Sequence, residues 1–277
     1  MSVVALEASA SRLVPRGSWS GGAWREGDRM VAEEVAVALT YDFSSHAVLM
    51  ATPRDLEDFA VGFSLTEGIV ARADEIEQID IVHGGDGIEL RMALAARRRS
   101  AFTLRRRHIA GPTGCGLCGV ESLAEAMRAP RRVASTMCVT AEMITAAITA
   151  MPARQSLHRE THAVHAAAFW QSGQGIVALR EDVGRHNALD KLAGALARAD
   201  LPGEAGIVLL TSRVSVEMVQ KTAMLGAPVI VAVSAPTALA VHACDSAGIT
   251  LVAIARGDGF EVFTHGARIV SAQPLRF

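Results

Sequence analysis

Lysine is almost missing from this 277-residue sequence: of 27 basic residues only Lys191 and Lys221 are lysine, and the rest are arginine. Arginine therefore serves wherever a generic positive charge is enough. The two lysines mark positions where a compact ammonium is wanted instead of a planar guanidinium fork. Net charge is also small, −2 with histidine neutral, which argues against nucleic acid as the main partner. No apolar run approaches the roughly 18 residues that would span a bilayer, and the first residues lack a secretory pattern. Cysteine is sparse: Cys115, Cys118, Cys138 and Cys244 are the full set of four. A close pair plus two scattered thiols in a chain this long fits intracellular metal or redox chemistry, not a disulfide scaffold. The expectation is a soluble, cytoplasmic chain with material for one large domain or two modest ones.

Residues 1–27 show no sustained periodicity and are rich in Ser, Gly and Ala, so the expectation there is a flexible arm. Within them Leu13 to Ser18 spell LVPRGS, the pattern of a commonly engineered protease site, and stay outside the fold reading. Residues 28–110 read as a small α+β unit. Apolar residues recur at strand spacing from Val31 to Met50 around a turn at Asp42 to Ser45. Thr52-Pro53-Arg54-Asp55 opens a helix with proline in its first position, running to Glu67. Strands follow at Gln78 to His83 and Ile88 to Leu94. Arg97 to Arg99 and Arg105 to Arg107 flank a short apolar stretch, either a solvated strand pair or a basic lip for phosphates or an acidic partner. Residues 111–130 hold a Gly/Cys loop and a short helix that stops at Pro130.

From residue 131 to 277 the pattern alternates. Val139 to Met151 reads as an amphipathic helix ended by Pro152. Strand candidates are His162 to Trp170, Gly175 to Leu179, Gly206 to Leu210, Pro228 to Val233, Thr250 to Ile254 and Phe260 to Thr264. Helical patterns occupy Asn187 to Arg198, Val216 to Leu225 and Thr237 to Ala247. Such alternation predicts a layered α/β domain with a largely parallel sheet.

The strongest chemical signal is Thr113-Gly114-Cys115-Gly116-Leu117-Cys118-Gly119. Two thiols separated by two residues can share a metal, each other, or a transferable sulfur atom. The surrounding glycines let backbone approach a bulky partner closely. Val120 to Met127 reads as a helix, which puts Cys118 near its N-terminus, where free amides and the dipole favour the reactive thiolate. A structural zinc site would need a second ligand pair, and none stands at zinc-finger spacing. A zinc deaminase needs its His-x-Glu before the cysteines, whereas His158-Arg159-Glu160 follows them. A thioredoxin-like motif would follow a buried strand directly, and this one follows a Gly/Pro loop. Cys138 and Cys244 lie in apolar surroundings and read as inert core thiols.

Four polar segments close predicted strands. Gly184-Arg185-His186, with Lys191 one to two turns on, opens a helix; so does Thr211-Ser212-Arg213, followed by Lys221. Ser234 to Thr237 and Arg256 to Gly259 are the other two. Helix N-termini and basic side chains at strand ends form anion sites, and in open α/β sheets the ligand crevice lies beyond the carboxyl ends of the strands. The expectation is a phosphate-bearing, nucleotide-like ligand. His162 and His165, three apart on a strand, should face opposite sides.

In this order TGCGLCG, THAVHAAAF, EDVGRHNALDKL, TSRVSVEMVQKTAMLG and SAPTALAV resemble the formate dehydrogenase accessory sulfurtransferase (FdhD) family. The first unit's EEVAVALTYDFSSHAVLMATPRDLEDFAVGFSLTEGI fits the same family, so the resemblance runs from Glu33 to His265. It implies an α/β fold: a cytidine-deaminase-like α/β/α domain without deaminase chemistry, plus the smaller N-terminal α+β domain, in a homodimer. It implies a persulfide carrier that a cysteine desulfurase loads on Cys115, with Cys118 assisting transfer or release. The sulfur would pass to molybdenum in Mo-bis(molybdopterin guanine dinucleotide) before that cofactor enters formate dehydrogenase. Ile254, Ala255, Arg256, Gly257, Asp258 and Gly259 match where the family contacts the cofactor. The acidic Asp258 departs from that pattern, and GDP should bind as a fragment. The competing reading is a non-catalytic chaperone that escorts the cofactor, with the cysteines only for redox protection. No resident metal, nucleic acid or membrane is expected.

Overall fold

The computed structural model describes residues 9–98 and 128–270. The Cys115/Cys118 pair, Arg99, Arg105 to Arg107 and the helix expected before Pro130 lie outside the described residues.

The expected arm to Gly27 is instead largely a ribbon. Strand β1 (Ser11–Ser20) pairs antiparallel with β2 (Ala23–Ala32) through ten consecutive registers. The pivot is Gly21-Gly22, both at positive φ (61° and 81°), the two-residue turn that matches strand twist. LVPRGS lies in β1, with Leu13 largely exposed. Trp19 and Trp24 face each other at the tip, 5.6 Å apart and mostly exposed. Glu33 N–H to Ala10 O (2.9 Å) closes the base of the ribbon, which is tied to the body by Ser11 Oγ to Glu160 (3.2 Å).

The small unit is a four-stranded sheet in the order β4-β3-β6-β5, with β3 (Val35–Tyr41), β4 (Ser44–Ala51), β5 (Ile76–His83) and β6 (Ile88–Leu94). The β3–β4 turn is Asp42-Phe43, both at positive φ. Helix α1 (Leu56–Thr66) covers the sheet with Leu56, Phe59, Ala60 and Phe63 against Val37, Leu39, Leu90 and Met92. It starts later than the Pro53 signal implied. Asp55 sits at φ 54° in the left-handed region and breaks the helical path until Leu56.

The second unit is built on a six-stranded sheet, order β13-β12-β11-β10-β8-β9. Its strands are β8 (His165–Gln171), β9 (Gly175–Asp182), β10 (Ile207–Leu210), β11 (Val229–Ala232), β12 (Thr250–Arg256) and β13 (Gly259–Val262). Only β10–β11 and β11–β12 are parallel; β8–β9, β8–β10 and β12–β13 are antiparallel. The sheet is therefore mixed where a largely parallel one was expected, because the β8–β9 and β12–β13 connections are too short for a crossover. Strands β7 (Val139–Thr140) and β14 (Ile269–Val270) form a separate parallel pair.

The fully buried run Ile207-Val208-Leu209-Leu210 shows the layering. Ile207 and Leu209 face α2 (Ala141–Arg154), with Ile144, Ile148 and Met151. Val208 and Leu210 face α4 (Arg185–Arg198), α5 (Val216–Leu225) and α6 (Ala238–Ala247). Helix α2 begins two residues after the expected start, capped by the Thr140 side chain accepting from Met143 N–H. Pro152 lies inside its last turn and does not end it. The short α3 (Ser156–Thr161) follows. Among the described residues no helix is long and apolar enough to cross a membrane.

The units meet where α1 crosses α4. A methyl on Gly62 would sit 1.7 Å from Asp190 O, and one on Gly194 would sit 1.9 Å from Asp58 O. Backbone touches backbone there, so only glycine fits. Beside the crossing, Asp58 takes Arg180 Nη2 (2.6 Å) and Arg198 Nη1 (2.6 Å).

Candidate functional site

Strand direction gathers the expected site. Because β9 and β10 are each antiparallel to β8, β9 points the same way as β10, β11 and β12. All four polar strand ends therefore open on one edge of the sheet, together with the start of β8 at His165. Neighbouring loops are laced together. Ala166 N–H bonds Thr211 Oγ1 (2.9 Å), Val214 N–H bonds Ala235 O (3.3 Å), Thr237 N–H bonds Val214 O (3.0 Å) and Ile254 N–H bonds Ser234 O (3.4 Å).

At the β9 end Gly184 is the N-cap of α4 and its N–H donates to Asp182 Oδ1 (2.7 Å). A methyl there would press on Asn187 at 2.7 Å. Arg185 and His186 form the first helical turn, and Arg185 Nε and His186 Nε2 are buried without a hydrogen-bond partner. Burial, with Arg185 close by, lowers His186 to about 4, so the ring is neutral at physiological pH.

At the β10 end Arg213 is exposed, while Ser212 is buried and its hydroxyl donates to Arg213 O (3.2 Å). Two residues that the sequence reading passed over stand just beyond. Ser215 is the N-cap of α5, and Glu217 lies in its first turn. Ser215 Oγ and Glu217 Oε2 are also buried and lack a hydrogen bond of regular geometry. Burial alone would raise Glu217. Its neighbour Ser215, its own backbone amide, His186 and Arg185 outweigh that and hold the carboxyl below its ordinary range. The available signal was an acidic residue one turn after a polar strand end.

At the β12 end Arg256, Gly257, Asp258 and Gly259 are exposed and form the tight β12–β13 turn, while Ala255 is buried. Arg256 Nη1 donates to Val233 O at 3.4 Å. Ile254 sits at φ 53°, left-handed for a β-branched residue, where the β12–β13 register shifts. Such strain costs on the order of 1–3 kcal/mol and is retained where surrounding structure fixes it.

Both lysines are enclosed and not open to solvent at this edge. Lys191 is fully buried: its ammonium reaches Asp182 Oδ2 (2.6 Å) and Thr52 O (2.8 Å). Burial pulls its pKa below the ordinary lysine value and Asp182 opposes. Lys221 is spent on Asp190 (2.9 and 3.0 Å), Glu67 (2.7 Å) and Thr66 (3.1 Å). Burial would lower Lys221, but Asp190 and Glu67 outweigh it and raise its pKa. The expected anion ligands are internal ties: each joins the small unit to the large one.

Other expectations shift as well. His162 is not in a strand; it caps α3 in the left-handed region and is exposed, whereas His165 begins β8 and is half-buried. Cys138 is exposed, with Sγ 3.7 Å from Thr136 O, and only Cys244 is a core thiol, pushed by burial to about 12. Among the described residues no group of three or more His, Cys, Asp or Glu could hold a metal ion.

This arrangement matches a known class of protein. Residues 32–270 fit the model of the FdhD/NarQ family, and the chain belongs to that family. It is 53% identical over 271 residues to a sulfur carrier protein FdhD of Agrobacterium fabrum, covering 98% of this chain and all of the relative. It is 50% identical to the protein of that name from Cupriavidus necator, covering 89% and 87% of the two chains. Its structure is similar to a crystal structure from Desulfotalea psychrophila named as a formate dehydrogenase accessory protein. The TM-score is 0.73 at 26% identity, covering 95% of this chain and all of that one.

Proposed function

We propose that the chain is a cytoplasmic sulfur carrier for formate dehydrogenase: a sulfurtransferase that takes sulfane sulfur from a cysteine desulfurase and delivers it to Mo-bis(molybdopterin guanine dinucleotide). What carries the reading is the near full-length match to relatives that bear the name sulfur carrier protein. Cys115 and Cys118, separated by two residues, are the thiols we assign to that role. In loading, the Cys115 thiolate attacks the outer sulfur of the desulfurase persulfide; that S–S bond breaks and the desulfurase cysteine leaves as thiolate. In release, Cys118 thiolate attacks the Cys115 sulfur, a Cys115–Cys118 disulfide forms and the outer sulfur departs as sulfide, two electrons richer.

The molybdenum cofactor is the substrate here, and the shared edge of the six-stranded sheet suits its phosphates. Arg213 and Arg256 are exposed there, and Gly184, Arg185, His186, Ser212, Ile254, Ala255, Gly257, Asp258 and Gly259 lie along the same edge. GDP serves as the fragment probe. Lys191 and Lys221 stay outside the binding set because their ammonium groups are enclosed. The helices on both faces of the second unit's sheet support a cytidine-deaminase-like assignment, with a homodimer as the working assembly.

Intact mass after incubation with a desulfurase and cysteine tests the carrier step. An adduct of about 32 Da, one sulfur atom, is expected on the wild-type chain and not on Cys115→Ala. Cells carrying only Cys115→Ala should lack formate dehydrogenase activity. Full activity in those cells would mean that the chain escorts the cofactor without transferring sulfur.

A further inference from the structure

We infer that the β1–β2 ribbon is a docking arm for the protein that receives the cofactor, cofactor-free formate dehydrogenase. Its arginine face engages an acidic strip of that partner, and its tryptophan tip fills an apolar recess. The inference rests on the function proposed above and gives that partner a surface on this chain.

The register divides the ribbon into two unlike faces, because residues directly opposite on paired strands project to the same side. Arg16 stands opposite Gly27 and Arg25 opposite Ser18, and these two arginines share one side with Arg12 and Arg29. Both acids of the ribbon, Glu26 and Asp28, lie on the other side, with Trp19 and Trp24. Near the base the arginines are used: Arg12 reaches Glu33 (2.7 Å), and Arg29 Nη2 donates to Thr161 O (3.4 Å). Toward the tip, Arg16 and Arg25 are exposed diagonal neighbours, about 7–8 Å apart at the backbone. Among the described residues, none from Arg16 to Gly27 forms a hydrogen bond or ion pair outside the ribbon. Two like charges held side by side take a pair of carboxylates through parallel N–H···O bonds, so the surface that meets this face is acidic.

The tip is apolar on the opposite side. Two of the chain's three tryptophans stand there, 60% and 72% exposed, although aromatic residues make up only 4% of the sequence. Their contact across the turn stiffens the hairpin, but it leaves roughly 300 Å² of indole surface open to water. Tryptophan and arginine are the residue types that dominate protein–protein contacts. Pro15 has no N–H to offer an added strand, so β1 engages a partner through side chains and not by extending a sheet. Position then selects the partner. The ribbon is rooted on α3 at Glu160 and Thr161, just before His165 begins β8 at the edge where the polar strand ends open. Ten residues at strand rise carry its tip about 34 Å from that root. An apoprotein collecting the cofactor must approach this edge and meets the ribbon beside it. A desulfurase has no need of that edge.

Interferometry of the full chain against immobilised cofactor-free formate dehydrogenase, and separately against the cysteine desulfurase, tests the arm. The double variant Arg16→Glu/Arg25→Glu should weaken dehydrogenase binding by about tenfold or more and remove most of its salt dependence. Desulfurase binding, the Cys115 adduct and GDP binding should stay as in the wild type. Trp19→Ser/Trp24→Ser should weaken dehydrogenase binding likewise. The charge-reversed chain keeps both indoles, so it carries the test alone should the tryptophan variant lose the hairpin. Dehydrogenase affinity within about twofold of wild type in the charge-reversed chain would overturn the arm. So would a loss that falls on the desulfurase instead, or a halved native mass, which would make a second copy of the chain the occupant. A wild type that forms the Cys115 adduct but has no affinity for the dehydrogenase overturns the arm and leaves the carrier step standing. A wild type that takes up no sulfur, while charge reversal still costs it the dehydrogenase, keeps the arm and overturns the carrier step.

Discussion

Replacing Lys191 by Met tests whether the two units are held by charge as well as by packing. Lys191 and Asp182 are both fully buried, so the variant strands a carboxylate in the interior. Losing one partner of a buried pair costs about 3–5 kcal/mol. Asp182 retains three donors, Thr52 N–H (3.0 Å), Gly184 N–H (2.7 Å) and Asn187 Nδ2 (3.0 Å), which pulls the cost toward the lower bound. Thr52 O, however, loses the ammonium at 2.8 Å and is left in a buried place, which adds about 1 kcal/mol. The expected loss is about 4 kcal/mol, a large share of the 5–15 kcal/mol that ordinarily separates folded from unfolded chains. Urea denaturation followed by circular dichroism reads it, as a midpoint lower by roughly 1–2 M. Amide exchange at Thr52 and Val183 should quicken, because Thr52 N–H bonds Asp182 and Val183 N–H bonds Thr52 Oγ1. The double variant Lys191→Met/Asp182→Asn should recover at least half of the loss, since no charge is then stranded. A single-variant loss below about 1 kcal/mol, with Thr52 exchange unchanged, would refute the clamp.

Gly62→Ala forces α1 and α4 apart, because a methyl 1.7 Å from Asp190 O meets backbone that cannot rotate away; a loss of at least about 3 kcal/mol is expected in the same urea assay. Arg256→Ala should weaken GDP binding by about 1.5–3 kcal/mol in calorimetry, and unchanged affinity would move the phosphate site elsewhere. His186 is depressed to about 4 from its ordinary 6.5. The unfolded chain therefore takes up a proton that the folded one refuses, and stability is lost as pH falls through that window. Stability of His186→Gln should fall less between pH 7 and pH 5, and equal losses would count against a neutral, buried ring.

The elements of the second unit were legible because each has one strong signal. The continuous apolar run at Ile207 to Leu210 marks a strand buried on both faces, and α5 matches its sequence reading at both ends. The ribbon was not, since its residues show no inside and outside: most of β1 and β2 is exposed. Its one legible mark was Gly21-Gly22, a hairpin turn signal. Lysine scarcity correctly singled out Lys191 and Lys221, but their role was not readable. An ammonium serves an external phosphate or an internal carboxylate equally well, and their partners Thr52 and Thr66 lie 139 and 155 residues away. The convergence of the polar strand ends needed the direction of β9, which depends on β8 pairing antiparallel on both sides.

The enclosure of both lysines also changes what the folded molecule offers to reagents. With no other lysine in the chain, and with these two 0% and 9% exposed at the side chain, the native surface presents no reactive ε-amine. Acylating agents that colour most proteins within minutes should leave the lysines of this one untouched until the units part. Lysine modification thus becomes a gauge of opening at the junction, one that answers at two known positions and is silent everywhere else.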